Sequence, residues 1–374
     1  MSERQVSCLH RFFAVLLAAA ASSCATPGET VKQGYFFVGG RYVEAKGGPI
    51  MERQMYVEYR IPAQVTQPYP LVMIHGAAQT GTNFTGTPDG RKGWADFFVE
   101  RGYPVYVVDQ PTRGRSAYND AISPVIRFSA SQLEQRFTAT ENFNLWPQAK
   151  LHTQWPGDGP RKGLRGDPVF DQFYASQVQY IATATVNEPL LRNAVAALLD
   201  KIGPAIVLTH SQSGSFGWVI GDERPHLVRA IVAAEPSGPP FRNAVFNTDP
   251  ARPWGITSTP IKYDPPVTDP SQLARVEQAA SDGPDMVRCV LQGEPARKLV
   301  ALQQIPVMIF AAEASYHAMY DHCTAKYLNQ AGVKTDYFRL EQVGIRGNGH
   351  MVMIEKNNLE IAAFIDRWLK ANVR

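Results

Sequence analysis

Residues Ala205-Ile206-Val207-Leu208 form a short apolar run. It ends in Thr209-His210-Ser211-Gln212-Ser213-Gly214 and leads into Ser215-Phe216-Gly217-Trp218-Val219-Ile220. A short continuous apolar run suits a strand buried on both faces, and the segment after it suits a helix. A buried strand, a sharp turn carrying serines and then a helix point to an α/β fold. In that succession one hydroxyl is raised at the carboxyl edge of a sheet, the geometry of a nucleophile elbow. The usual G-x-S-x-G spelling is absent. With Ser211 as the central serine, Thr209 and Ser213 stand where the glycines belong.

The rest of the chain repeats the alternation. Leu71-Val72-Met73-Ile74 and Val105-Tyr106-Val107-Val108-Asp109 read as strands separated by a helix from Trp94 to Arg101, a parallel crossover unit. A helix from Leu190 to Lys201 precedes the elbow strand. Strands over Val228–Ala234, Ile305–Phe310 and Tyr337–Leu340 follow it, with a last helix from Leu359 to Ala371. Residues 34–62 read as antiparallel edge strands, with a hairpin turn at Gly39-Gly40. The pattern predicts a mostly parallel central sheet with helices on both faces, over residues 30–374. Two long insertions interrupt it, at about 118–188 and 237–304. Both leave the carboxyl edge of the sheet, where open α/β sheets bind ligands. The first is expected to cap the site and the second to form a partner lobe. Most of the aromatics in the first, among them Phe137, Trp146, Trp155, Phe170 and Phe173, are expected to pack it onto the body.

Arg4 and Arg11 flank and precede an apolar stretch, Phe12 to Ala21, which reads as a signal peptide over residues 1–24. Ala21-Ser22-Ser23-Cys24 is similar to a lipobox. Export is therefore expected, to the periplasm or medium, with any membrane attachment made through a lipid on Cys24. In an oxidising compartment the two remaining cysteines, Cys289 and Cys323, are expected to pair. Neither belongs to a C-x-x-C or C-x-x-H cluster, and no cofactor or metal is expected. A net charge of +3 with no basic block excludes nucleic acid as the expected partner.

A serine hydroxyl needs a base within hydrogen-bond reach. Ser211 lies where the strand ends and the helix can begin, whereas Ser213 needs two extra turn residues, so Ser211 is the expected nucleophile. With the serine–acid–histidine order of this type of site, His350 is the expected base. It follows the last strand, in the loop Gly347-Asn348-Gly349-His350-Met351. His75, His152 and His210 precede or adjoin the serine, while His317 and His322 precede the final strand. Two carboxylates end strands after the elbow, Glu235 and Glu313, and spacing leaves both open as the acid. The expected oxyanion donors are the backbone N–H groups of Ala77, after His75-Gly76, and of Gln212.

Together the motifs His210-Ser211-Gln212-Ser213-Gly214, Glu235-Pro236 and Gly347-Asn348-Gly349-His350-Met351, with Asn357-Asn358-Leu359 and the loop His75 to Gly81, resemble the bacterial esterase 713 family of α/β-hydrolases. The resemblance implies an α/β-hydrolase fold, an exported homodimer and ester hydrolysis, with Ser211 as nucleophile, Glu235 as acid and His350 as base. The type member carries adjacent cysteines where this chain has Ala77-Ala78, so the oxyanion loop is expected to be held by packing. The same apparatus could act on a small-molecule ester, a lactone, an amide or a polyester. A different reading of the chain is an exported ligand-binding protein that keeps the fold without turnover.

Overall fold

The computed structural model describes residues 30–119 and 121–373; the export segment and Cys24 lie outside the described residues. Ten strands are formed among the described residues: β1 Thr30–Val43, β2 Ile50–Pro62, β3 Leu71–Ile74, β4 Val105–Asp109, β5 Ala205–His210, β6 Val228–Ala234, β7 Arg275–Glu277, β8 Val290–Gln292, β9 Val307–Ala311 and β10 Thr335–Arg339. Eight make one sheet in the order β1-β2-β4-β3-β5-β6-β9-β10, and β7 pairs with β8 in a separate ribbon. The pairings β1–β2 and β2–β4 are antiparallel, and the rest of the large sheet is parallel.

The apolar runs form central strands because both of their faces are covered. In β3, β5 and β9 alternate residues point to opposite sides. Val72, Ile74, Ala205, Val207, Val307 and Ile309 join one core with the helices Ala184–Ile202 and Gly214–Glu223. Leu71, Met73, Ile206, Leu208, Met308 and Phe310 join the other, with the helices Trp94–Glu100 and Asn358–Asn372.

Two local expectations are corrected. Gly39-Gly40 does not turn the chain. Both glycines take left-handed φ, 62° and 81°, and β1 continues through them, paired with β2 from end to end. A Cβ on Gly39 would stand 3.5 Å from the Ala194 backbone, and one on Gly40 would stand 3.2 Å from that of Gln54. Both glycines thus supply a left-handed backbone inside the strand, and Gly40 also allows close approach to Gln54. The helix expected from Leu190 starts at Ala184, so Pro189 lies inside it. One hydrogen bond is lost there, close to the start of the helix. Nearby, Glu188 accepts hydrogen bonds from the backbone of Ser258 and Thr259 and the Thr259 hydroxyl, tying the helix to the second insertion.

Of the first insertion's aromatics, Trp155, Phe170 and Phe173 are buried in the core that holds Trp94 and Trp368. Phe137 and Trp146 are also buried, but they reach the carboxyl edge of the sheet. Cys289 and Cys323 form a disulfide that fastens the second insertion to the helix Asp321–Gln330.

Candidate active site

The turn after β5 holds Ser211 at φ 57°, a left-handed conformation that is costly for a residue with a Cβ. A single 3-10 turn, Ser211–Ser213, then feeds the helix Gly214–Glu223. Ser213 does structural work. Its Oγ lies 2.8 Å from both the His210 N–H and the Ile74 carbonyl, joining the elbow to β3. The helix accommodates Thr209 in the glycine slot. A Cβ on Gly217 would approach the Thr209 methyl to 3.3 Å, and one on Gly214 would collide with Pro236 at 2.3 Å. Close approach of the helix to β5, β6 and Pro236 is thus supplied by glycines at the first residue of the elbow helix and about one turn into it.

His350 and Glu235 meet at this edge. Nδ1 of His350 lies 2.5 Å from Oε2 of Glu235, and both side chains are buried. Glu235 itself has φ 49°. It also accepts the Ala312 N–H at 2.7 Å and the Ser315 hydroxyl at 2.8 Å. Burial, the largest influence, pushes the Glu235 carboxyl up to about 7 against His317 and those two donors. Burial, assisted by His317, holds His350 well below the ordinary histidine range. A neutral His350 ring that faces a carboxylate with Nδ1 carries its proton there, which leaves Nε2 free to accept. The Tyr316 hydroxyl sits 3.4 Å from that Nε2 and within hydrogen-bonding reach of the Ser211 side chain. Glu313 is placed elsewhere, on Arg346 at 2.9 Å and the Gly347 N–H at 2.8 Å.

The loop carrying Ala77 passes directly against the elbow. A Cβ on Gly76 would stand 3.0 Å from the Ser211 Cβ and 3.1 Å from His210 Nδ1, so glycine lets this backbone approach without displacing either side chain. The loop packs against the elbow, as expected in place of a disulfide, and residues at the end of β4 also hydrogen-bond it. Gln110 donates its N–H to His75 Nε2 at 3.1 Å and its side-chain amide to the His75 carbonyl at 2.6 Å. Arg113 donates to the Gly76 carbonyl at 2.8 Å and to Gln212 Oε1 at 3.1 Å, linking the loop to the elbow. Asp109 accepts the Gly81 N–H at 2.8 Å. Burial takes His75 down to about 3, so its ring is neutral and can accept.

Several residues here escape sequence reasoning. The His350 ring is enclosed by His210, His317, Phe137 and Tyr316, with ring centres 4.6, 4.7, 5.1 and 5.0 Å away. Tyr316 and His317 leave the carboxyl end of β9, and that position was the available signal. Glu235, His317 and His350 each bring a ligand-type atom within 4.8 Å of the others. Those atoms are already committed to hydrogen bonds, since His317 bonds Asp321 at 2.9 Å and Tyr320 at 3.1 Å.

His152, in the first insertion, holds the base loop in place. It contacts Glu355 at 2.9 Å and Glu141 at 3.2 Å, and Glu355 in turn accepts the Gly349 N–H at 2.9 Å and the Asn348 amide at 2.7 Å. Although burial opposes it, the nearby carboxylates of Glu141 and Glu355 raise His152 to about 9. A raised folded-state value contributes stability that is complete below about pH 6.5 and is lost as pH rises through about 9. His152→Gln is therefore expected to be less stable than the parent at pH 6, with the difference narrowing by about 3 kcal/mol by pH 10. Urea denaturation across that range measures it. A difference that stays constant with pH contradicts the assignment.

Two cavities open at this edge. One of 290 Å³ contains Ser211, and one of 460 Å³ contains Gln212; they share Ser237, Asn243 and Arg252.

No model of a known protein family matches the chain. A protein from Fungal sp. (strain ATCC 74256), described as probable secreted lipase phiG, is 50% identical over 337 residues, 90% of this chain and 89% of its own length. The atomic-resolution structure of a novel bacterial esterase aligns with a TM-score of 0.63 at 26% identity, covering 94% of this chain and 98% of that one. With its mostly parallel sheet and its elbow at the end of β5, the chain belongs to the esterase and lipase family of α/β-hydrolases.

Proposed function

We propose that the protein hydrolyses carboxylic esters through an acyl-serine intermediate, with Ser211 as nucleophile, His350 as base and Glu235 as acid. One observation carries this reading: Ser211 is held at φ 57° at the mouth of the elbow helix, and Tyr316 reaches both its side chain and the Nε2 of a His350 whose Nδ1 is engaged by a buried carboxylate. Ser211 Oγ attacks the ester carbonyl as His350 Nε2 takes its proton. Glu235 keeps the proton-bearing Nδ1 in place and stabilises the imidazolium. The Ala77 and Gln212 N–H groups receive the oxyanion, each worth roughly 10² to 10³ in rate. His350 then passes the proton to the departing alcohol, and water releases the acid by the reverse sequence.

Residues 118–188 act as a cap, supported by their contacts with the base loop through His152 and Phe137. Residues 237–304 form a partner lobe that walls the cavities through Asn243 and Arg252. Within the family, the His210–Gly214 and Gly347–Met351 motifs favour the esterase 713 group. Export, to the periplasm or medium or with an anchor on Cys24, accords with the apolar N-terminal stretch, and release accords with the secreted relative. A homodimer accords with the exposed aromatic residues Tyr35, Phe37 and Tyr42 on the edge strand β1.

Labelling with a fluorophosphonate probe, located by mass spectrometry, tests the nucleophile. Modification at Ser211 is expected, together with turnover in a series of p-nitrophenyl esters of graded acyl length run beside lactones. A protein that binds these compounds but is neither labelled nor active is a binding module instead.

A further inference from the structure

The cavity that contains Ser211 is also lined by two arginines, Arg136 and Arg252. Among the described residues neither has a carboxylate within ion-pair distance, whereas Arg60, Arg115 and Arg165, also partly buried or beside buried carboxylates, do. The guanidinium of Arg136 lies over the Phe246 ring, 4.2 Å from its centre, and its buried Nε has no hydrogen-bond partner. Contact with the ring face uses none of the guanidinium's N–H donors. Arg252 is oriented by neutral oxygens alone. Its Nε donates to the Pro239 carbonyl at 2.7 Å, and its Nη2 donates to the Arg242 carbonyl and to Asn243 Oδ1. Arg252 lines both cavities.

Half-buried cations without counter-ions are costly unless a ligand supplies the opposite charge. The carboxylates facing this region are committed elsewhere. Glu188, which acts on Arg252 through space, is held by Ser258 and Thr259. Glu235 serves His350, and Asp321 is bonded to His317. A planar guanidinium with free in-plane N–H groups is matched by a carboxylate. The Ser211 cavity, at 290 Å³, is the smaller of the two and lies at the small end of ligand pockets.

We propose that the substrate is a carboxylic ester bearing a second, free carboxylate, such as a monoester of a short dicarboxylic acid, and that Arg136 and Arg252 bind that carboxylate while Ser211 attacks the ester. The proposal rests on the ester-hydrolase reading of Ser211.

The test compares monoethyl glutarate with the matching monoamide, ethyl 4-carbamoylbutanoate, which differs in charge but hardly in shape, followed by pH-stat titration. The full chain is expected to favour the anionic ester in kcat/KM by about tenfold or more. Arg136→Gln is expected to erase that ratio, and Arg136→Lys to restore part of it. Turnover of both esters at equal efficiency, or an unchanged ratio in Arg136→Gln, overturns the carboxylate subsite and leaves the esterase reading standing. Failure to cleave any ester, p-nitrophenyl acetate included, overturns the esterase reading and the subsite with it. Should the variants not fold, competition against p-nitrophenyl acetate by the unaltered protein decides: glutarate is expected to inhibit at a concentration about tenfold below glutaramide, and equal inhibition overturns the proposal.

Discussion

Ser211→Ala is expected to lower kcat/KM for a neutral p-nitrophenyl ester by about 10⁵- to 10⁶-fold, with the fold intact. Removing the serine of a serine–histidine–acid site leaves only binding and oxyanion stabilisation to act on the substrate, and the loss in comparable enzymes is of that order. The hydroxyl makes little contribution to the packing around it. What anchors the elbow is the Ser213 hydroxyl on Ile74 and the Ser237 N–H on the Ser211 carbonyl, at 2.8 and 2.9 Å, and an alanine keeps both. Steady-state rates beside a thermal unfolding curve check the expectation. Activity within a hundredfold of the parent, in a sample free of contaminating esterase, shows that another residue is the nucleophile. By contrast, Ser213→Ala is predicted to act on stability through the lost tie to β3.

Glu235→Gln is expected to cost about 10⁴ in kcat, against less than tenfold for Glu313→Gln. The Glu235 Oε1 accepts the Ala312 N–H at 2.7 Å. In the glutamine variant the amide oxygen satisfies that N–H, which turns the NH₂ toward His350 Nδ1. The imidazole then has to accept at Nδ1 and carry its proton on Nε2, so it cannot take the serine proton. Glu313 pairs with Arg346, whose side chain is 67% exposed, and an exposed pair of this kind is worth under about 1 kcal/mol. Its other bond, to the Gly347 N–H, survives in an amide of the same shape. Parallel measurement of kcat for the two variants on one ester settles the acid. Comparable losses in both, or a larger loss in Glu313→Gln, contradict the assignment.

The two glutamates show where sequence reading stops. Each ends a strand after the elbow, so local pattern treats them alike, and a family resemblance had to choose between them. The difference between them is spatial, since the loop carrying His350 returns to the sheet 115 residues after Glu235 and meets that carboxylate. Thr209 is a similar case. In the sequence it looks like a misfit in a glycine slot, yet the structure puts Gly217 against its methyl group. Likewise, the Gly39-Gly40 pair carries a local turn signal that β2, with its long complementary edge, overrides.

What the sequence by itself determined is the set of features written in neighbouring residues. These are the buried strands as uninterrupted apolar runs, the serine turn after β5, and a glycine-rich loop bearing a histidine ahead of the last helix. Backbone conformation and two-faced burial are dictated within a few residues, so a linear reading reaches them. Only the tertiary structure decided which carboxylate faces His350, that Arg113 bridges Gly76 and Gln212, that His152 fastens the base loop, and that Arg136 and Arg252 line the serine cavity without counter-ions. These side chains are brought together from distant segments by the packing of two insertions over the sheet edge. A charge's meaning depends on whether an opposite charge lies within a few ångströms, a relation between segments that local pattern does not carry.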